Sequence, residues 1–132
     1  MALKYRITKR KDNIGPEGQE YYIMQAIGTG EIDIKRLSYL ISNECTVKRP
    51  DVVAVLTALG DKMKELLADG HVINLENIGR FKMGFKSTPQ PSPELLRPHE
   101  IKKFHINYQP TPEMKNWLKG KSINVVKEPR KR

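Results

Sequence analysis

The side chains of this 132-residue chain best suited to ligating a metal or moving a proton are His71, His99, His105 and Cys45. Their spacing matches no metal-ligand pattern, which needs paired ligands a few residues apart. Neither a Gly-x-Ser-x-Gly elbow nor a phosphate-loop signature occurs. Gly28-Thr29-Gly30 precedes a helical pattern and could offer backbone N–H groups to a phosphate. Glu31 and Asp33 follow at once and would repel that anion, so a strand-to-helix turn is the better reading. These residues predict no catalytic centre, no metal site, no cofactor and no small-molecule substrate.

The cations carry a stronger pattern. Formal net charge is +9, from 24 Lys and Arg against 15 Asp and Glu. Residues 31–70 hold six cations and seven anions, whereas residues 79–107 hold six cations and two anions. Residues 1–12 hold five cations and one anion, and residues 119–132 hold six and one. A merely soluble basic protein would spread this charge. Its concentration outside residues 31–70 points to a polyanion, and nucleic acid is the leading candidate. The cations expected to neutralise phosphates are Arg80, Lys82, Lys86, Lys102 and Lys103.

Those residues need a sheet to align them. In residues 80–86, Phe81, Met83 and Phe85 point one way, while Arg80, Lys82 and Lys86 point the other. Phe104, Ile106 and Tyr108 alternate in the same manner with Lys103, His105 and Asn107. Between these strands lie Pro89, Pro91, Pro93 and Pro98, which cannot serve a central ladder, so residues 87–98 form a loop or arm tip. Residues 72–108 therefore read as a β-ribbon with a projecting arm.

The remaining chain reads as support. Leu3, Tyr5 and Ile7 alternate with Lys4, Arg6, Thr8 and Arg10, a half-buried strand. Turn residues follow over 11–20, then an apolar strand over 21–27, and the two can form a hairpin. Asp33 is a suitable N-cap for a helix reaching about Asn43, with Ile34, Leu37, Leu40 and Ile41 on one face. Pro50 suits the start of a second helix, and Gly70 its end. Its stripe of Val52, Val55, Leu56, Leu59, Met63, Leu66 and Leu67 is broader than one small helix needs against its own chain. That width implies packing on a second copy. A short helix follows from Pro112, with Met114, Trp117 and Leu118 on its apolar side. Residues 121–132 are basic and predict a disordered tail.

The lone Cys45 cannot form an intrachain disulfide, the N-terminus lacks an apolar signal core, and the longest apolar run is five residues. The expectation is a cytoplasmic protein without a membrane segment.

The order of elements and two local motifs resemble the HU and integration host factor family of bacterial DNA-bending proteins. Ile78-Gly79-Arg80-Phe81 resembles that family's Gly-Phe-Gly-x-Phe entry to the arm. Ile106-Asn107-Tyr108-Gln109-Pro110 resembles its Val-x-Phe-x-Pro-Gly exit into the last helix. The match covers about residues 32–120. It implies an α+β fold: a helix pair, a three-stranded antiparallel β-ribbon with an arm, and a short C-terminal helix, here preceded by an N-terminal β-hairpin. It also implies a homodimer on double-stranded DNA, associated with the nucleoid, with a Pro at each arm tip wedged into the minor groove.

Three departures stand out. The family's Arg-Asn-Pro-x-Thr-Gly tip is replaced by Thr88-Pro-Gln-Pro-Ser-Pro-Glu94, where Pro93 is the counted wedge position and Pro91 the next. Arg97 is the tip's one arginine. Residues 1–30 resemble the extension of a longer HU-related group, which sets domains of 1–30, 31–120 and a tail of 121–132. A dimeric structural or protein-interaction module with weak or lost DNA binding is the alternative function. Binding of RNA or single strands would need Tyr5, Tyr21 and Tyr22 exposed, and all three are expected to be packed.

Overall fold

The computed structural model describes residues 2–11 and 18–129; residues 12–17 of the turn predicted over 11–20, and the basic end at 130–132, lie outside the described residues. The chain forms two compact units. One joins residues 1–33 to 119–132, and the other spans residues 34–118. It is a mixed α+β structure with three helices and two small sheets.

The first unit is a three-stranded sheet in the order β2-β1-β6. β1 (Leu3–Lys11) and β2 (Glu20–Ile27) form the expected antiparallel hairpin. The third strand departs from expectation. Within the stretch predicted to be a disordered tail, β6 (Val125–Lys127) pairs parallel to β1, with Leu3 beside Val125 and Lys4 beside Val126. Leu3 N donates to Asn124 O at 2.8 Å, and Glu128 N donates to Tyr5 O at 2.9 Å. Arg6 adds a two-pronged ion pair, donating to the Glu128 carboxylate at 2.8 and 2.9 Å. Those hydrogen bonds, helped by the carboxylate charge, raise the Arg6 guanidinium above its ordinary value. The tail's charge hid the β-branched pair Val125-Val126, which suits an edge strand. Tyr21 and Tyr22, expected to be packed, are exposed, while Tyr5 is half-buried.

In the second unit, α1 (Ile34–Glu44) packs against α2 (Arg49–Ala68), which in turn touches β3 (Ile73–Leu75) and β4 (Gly79–Ser87). The second helix starts one residue before Pro50, and Asp51 supplies an acid to its first turn. It ends where Gly70 takes φ +88°, with Gly70 N donating to Leu67 O and His71 N to Leu66 O. That left-handed residue is what glycine provides at the end of a helix.

The core of this unit is thin. Val52 and Leu67 are 6% and 2% exposed, and they are the only fully buried apolar side chains among the described residues. Ile34, Leu37, Leu40, Val55 and Leu66 of the predicted helical stripes face solvent in the single chain. Where α1 carries a small residue, Ser38 is wholly buried and its hydroxyl has no partner. A buried hydroxyl without a partner costs about 1–3 kcal/mol. Ser38→Ala removes that cost and adds helix propensity. The expected result is a gain of about 1 kcal/mol, seen as a higher melting temperature; a lower one would mean that the hydroxyl is paired in solution.

The second sheet runs β3-β4-β5, antiparallel throughout, with β5 spanning Ile101–Gln109. α3 (Pro112–Lys119) follows. Thr111, just before it, is buried and donates through Oγ1 to Glu76 O at 2.7 Å, tying the β3–β4 turn to the start of the helix.

A candidate nucleic-acid interface

The entry and exit motifs of the ribbon meet around one tyrosine. Tyr108 lies directly opposite Phe81, with ring centroids 5.4 Å apart. Its ring covers the position that a Cβ on Gly79 would occupy, and its hydroxyl donates to Ile78 O at 2.8 Å. Gly79 is therefore required by a close approach, and the tyrosine locks the beginning of β4 to the end of β5.

The lock sets the register, and the register sorts the faces. Phe81, Met83 and Phe85 stand opposite Tyr108, Ile106 and Phe104. On the other face Arg80 stands opposite Gln109, Lys82 opposite Asn107, Gly84 opposite His105 and Lys86 opposite Lys103. Asn74 of β3 flanks Arg80 on its second side. A Cβ on Gly84 would come within 2.6 Å of His105 Nε2, so the imidazole lies across the glycine.

Arg80, Lys82, Lys86 and Lys103 thus share one exposed face. Lys102 is different. The register passes from Lys86–Lys103 to Ser87–Ile101, so Lys102 is the extra residue at a bulge. Such a bulge twists the ribbon locally. Among the described residues, none of these five cations takes part in an ion pair. Lys86 and Lys103 are like charges directly across a ladder, an arrangement that is destabilising unless an anion lies between them.

Charge counting misses the amides. Asn107 and Gln109 join Arg80, Lys82, Val72 and Tyr108 around a hollow of about 440 Å³. Its two cations and two amides can donate to phosphate oxygens. The alternation of β5 with the exit motif is the signal that could have found them.

Pro93 and Arg97 lie in the segment that closes the ribbon. Pro93 opens a 3-10 turn, Pro93–Leu95, and Arg97 immediately precedes a second, Pro98–Glu100. Thr88 N donates to Glu100 O at 3.1 Å, and Gln90 Nε2 to Glu100 Oε2 at 3.2 Å. Pro91, Pro93, Leu95, Leu96 and Arg97 are all exposed. Two leucines therefore accompany the prolines at the surface, a feature that the proline and charge pattern alone does not single out. Elsewhere His99 stands beside Glu100, and Cys45 donates to Ile41 O. No group of three or more His, Cys, Asp or Glu side chains among the described residues is placed to hold a metal. No helix among the described residues is long and apolar enough to cross a membrane.

Residues 1–125 match HU-HIG, a family described as an HU domain fused to a wHTH, Ig or glycine-rich motif. The chain belongs to the HU-HIG family. That places it among HU-like DNA-binding domains and extends the resemblance read from residues 32–120 through the N-terminal hairpin. No curated protein matches the sequence. A solved structure from Bacteroides vulgatus ATCC 8482, provisionally named a bacterial DNA-binding protein, has a similar fold, with a TM-score of 0.68 at 15% identity. The similarity covers 98% of this chain and 50% of the other, so this HU-HIG chain spans about half the length of that relative.

Proposed function

We propose that this HU-HIG chain is a non-enzymatic, nucleoid-associated protein of the cytoplasm that binds and bends duplex DNA as a homodimer, with little sequence preference. The supporting observation is the aligned face of Arg80, Lys82, Lys86 and Lys103, free of ion pairs with any described residue, with two lysines in direct opposition. A phosphate between Lys86 and Lys103 turns their repulsion into two attractions. The DNA-binding name of the Bacteroides relative agrees with this reading. Pro93, with Pro91 next, is the proposed minor-groove wedge, and Arg97 contacts the backbone beside it. The solvent-facing stripe of α1 and α2 is the proposed dimer surface.

Salt dependence tests the phosphate contacts. A dimer using about 6–10 of them loses about 10³–10⁵ in affinity between roughly 50 and 200 mM salt. Fluorescence anisotropy with unrelated duplexes should give a steep, nearly common slope. A flat salt response would rule out the proposed face. Circular permutation of the duplex reads bending, and Pro93→Ala should reduce the bend more than it reduces affinity.

A protein-interaction module is the second reading. It is favoured by Leu95 and Leu96, which stand exposed next to the acidic Glu94. Binding that persists after Leu95→Ser and Leu96→Ser would count against any essential role of these leucines.

A further inference from the structure

The β1–β2–β6 sheet carries a surface that the duplex-binding reading leaves unused. Directly opposed residues share a face of a sheet. One face of this sheet holds Ile7 opposite Met24 and Lys9 opposite Tyr22, with Tyr5 standing between Ala26 on one side and Lys127 on the other. Tyr22 is 66% exposed and Met24 63%, and Ile7 is also exposed. Lysines 9, 11 and 127 edge this strip, and among the described residues Glu20 is the one acid across from them. The Lys9–Glu20 pair, at 2.8 Å, is exposed on both sides and holds little energy.

We propose that this face binds single-stranded nucleic acid. Unpaired bases stack on Tyr22 and its apolar neighbours, while Lys9, Lys11 and Lys127 take the backbone phosphates. A duplex does not suit the strip, because paired bases hide their flat faces inside the stack. A single strand supplies both complements, since each base offers a π surface and each linkage a negative charge. The site is independent of the Arg80–Lys103 face and stands or falls apart from it.

The probe is fluorescein-labelled dT20, titrated with the full chain in the presence of excess unlabelled duplex. The expected result is binding that survives the duplex. Tyr22→Ala weakens it about tenfold, within the range for removing one stacking ring. Tyr22→Phe, which keeps the ring, restores it, and Lys9→Glu weakens it with a reduced salt slope. Duplex affinity, measured separately, does not change in the Tyr22 variants. Circular dichroism confirms that the Tyr22→Ala sheet is folded; if it is not, Met24→Ser on the same face takes its place, with the same expected loss. The proposal is overturned if dT20 does not bind, if duplex displaces it fully, or if folded Tyr22→Ala binds it as tightly as the parent. Binding to phosphatidylserine vesicles with none to dT20 also overturns it, and would make the strip a lipid surface.

Discussion

Replacing Lys82, Lys86, Lys102 and Lys103 together by Glu should lower duplex affinity by at least about a thousandfold and flatten its salt dependence. Four reversals per chain remove most of the phosphate contacts assigned to the ribbon. Each lost contact takes about 0.9 from the slope of log affinity against log salt. Anisotropy over a salt series measures both quantities. The single variant Lys86→Glu separates binding from folding more sharply. Lys86 faces Lys103 directly. In the free protein the substitution converts a like-charge pair into an opposite-charge pair, worth about 0.2–1 kcal/mol in a ladder. The melting temperature should therefore rise slightly while duplex affinity falls. A scaffold without a ligand on this face would gain the stability and lose nothing. Unchanged affinity in the quadruple variant would move the DNA site elsewhere.

The same ladder shows what the sequence could and could not reveal. Alternation of Phe81, Met83 and Phe85 with charged residues was visible in a short window, because a strand places every second side chain on one face. The partner of each residue was not visible. Opposition of Lys86 and Lys103 depends on a register set by Tyr108 lying over Gly79, a contact between residues far apart in the chain. The bulge at Lys102 is likewise a property of pairing rather than of composition. Asn107 and Gln109 carry no charge, so counting cations passed over them although they share a hollow with Arg80 and Lys82. Around β6 charge misleads in the opposite way. The charge of residues 121–132 predicts a disordered tail, yet two valines suffice to add a strand to an existing edge. Exposure of Tyr21 and Tyr22 could not be read either, because an aromatic in a strand pattern looks the same whether or not something covers it.

Wild-type protein should melt at a temperature that rises with its concentration, and Val55→Asp should abolish both the dimer and the fold. The reasoning starts from the single chain, where Val55 is 64% exposed. At a site that exposed, a substitution in a monomer costs within about 0.5 kcal/mol. Yet a chain with only Val52 and Leu67 fully buried among its described apolar residues has little to offset the entropy of ordering its backbone. The missing burial has to come from elsewhere, and the uncovered residues Ile34, Leu37, Leu40, Val55 and Leu66 lie on the two helices that pack together. If a second copy covers them, the carboxylate introduced by Val55→Asp becomes an unpaired charge in an apolar interface, at a cost of about 3–5 kcal/mol per protomer. That is a large share of the stability of a domain this small. Folding and association are then one equilibrium, so dilution alone should destabilise the parent protein. Sizing and thermal melts across a roughly hundredfold concentration range measure this directly. A parent that sizes as a monomer, with Val55→Asp melting unchanged, would show that the stripe is solvent-facing. It would also remove the homodimer on which the proposed bending of DNA relies.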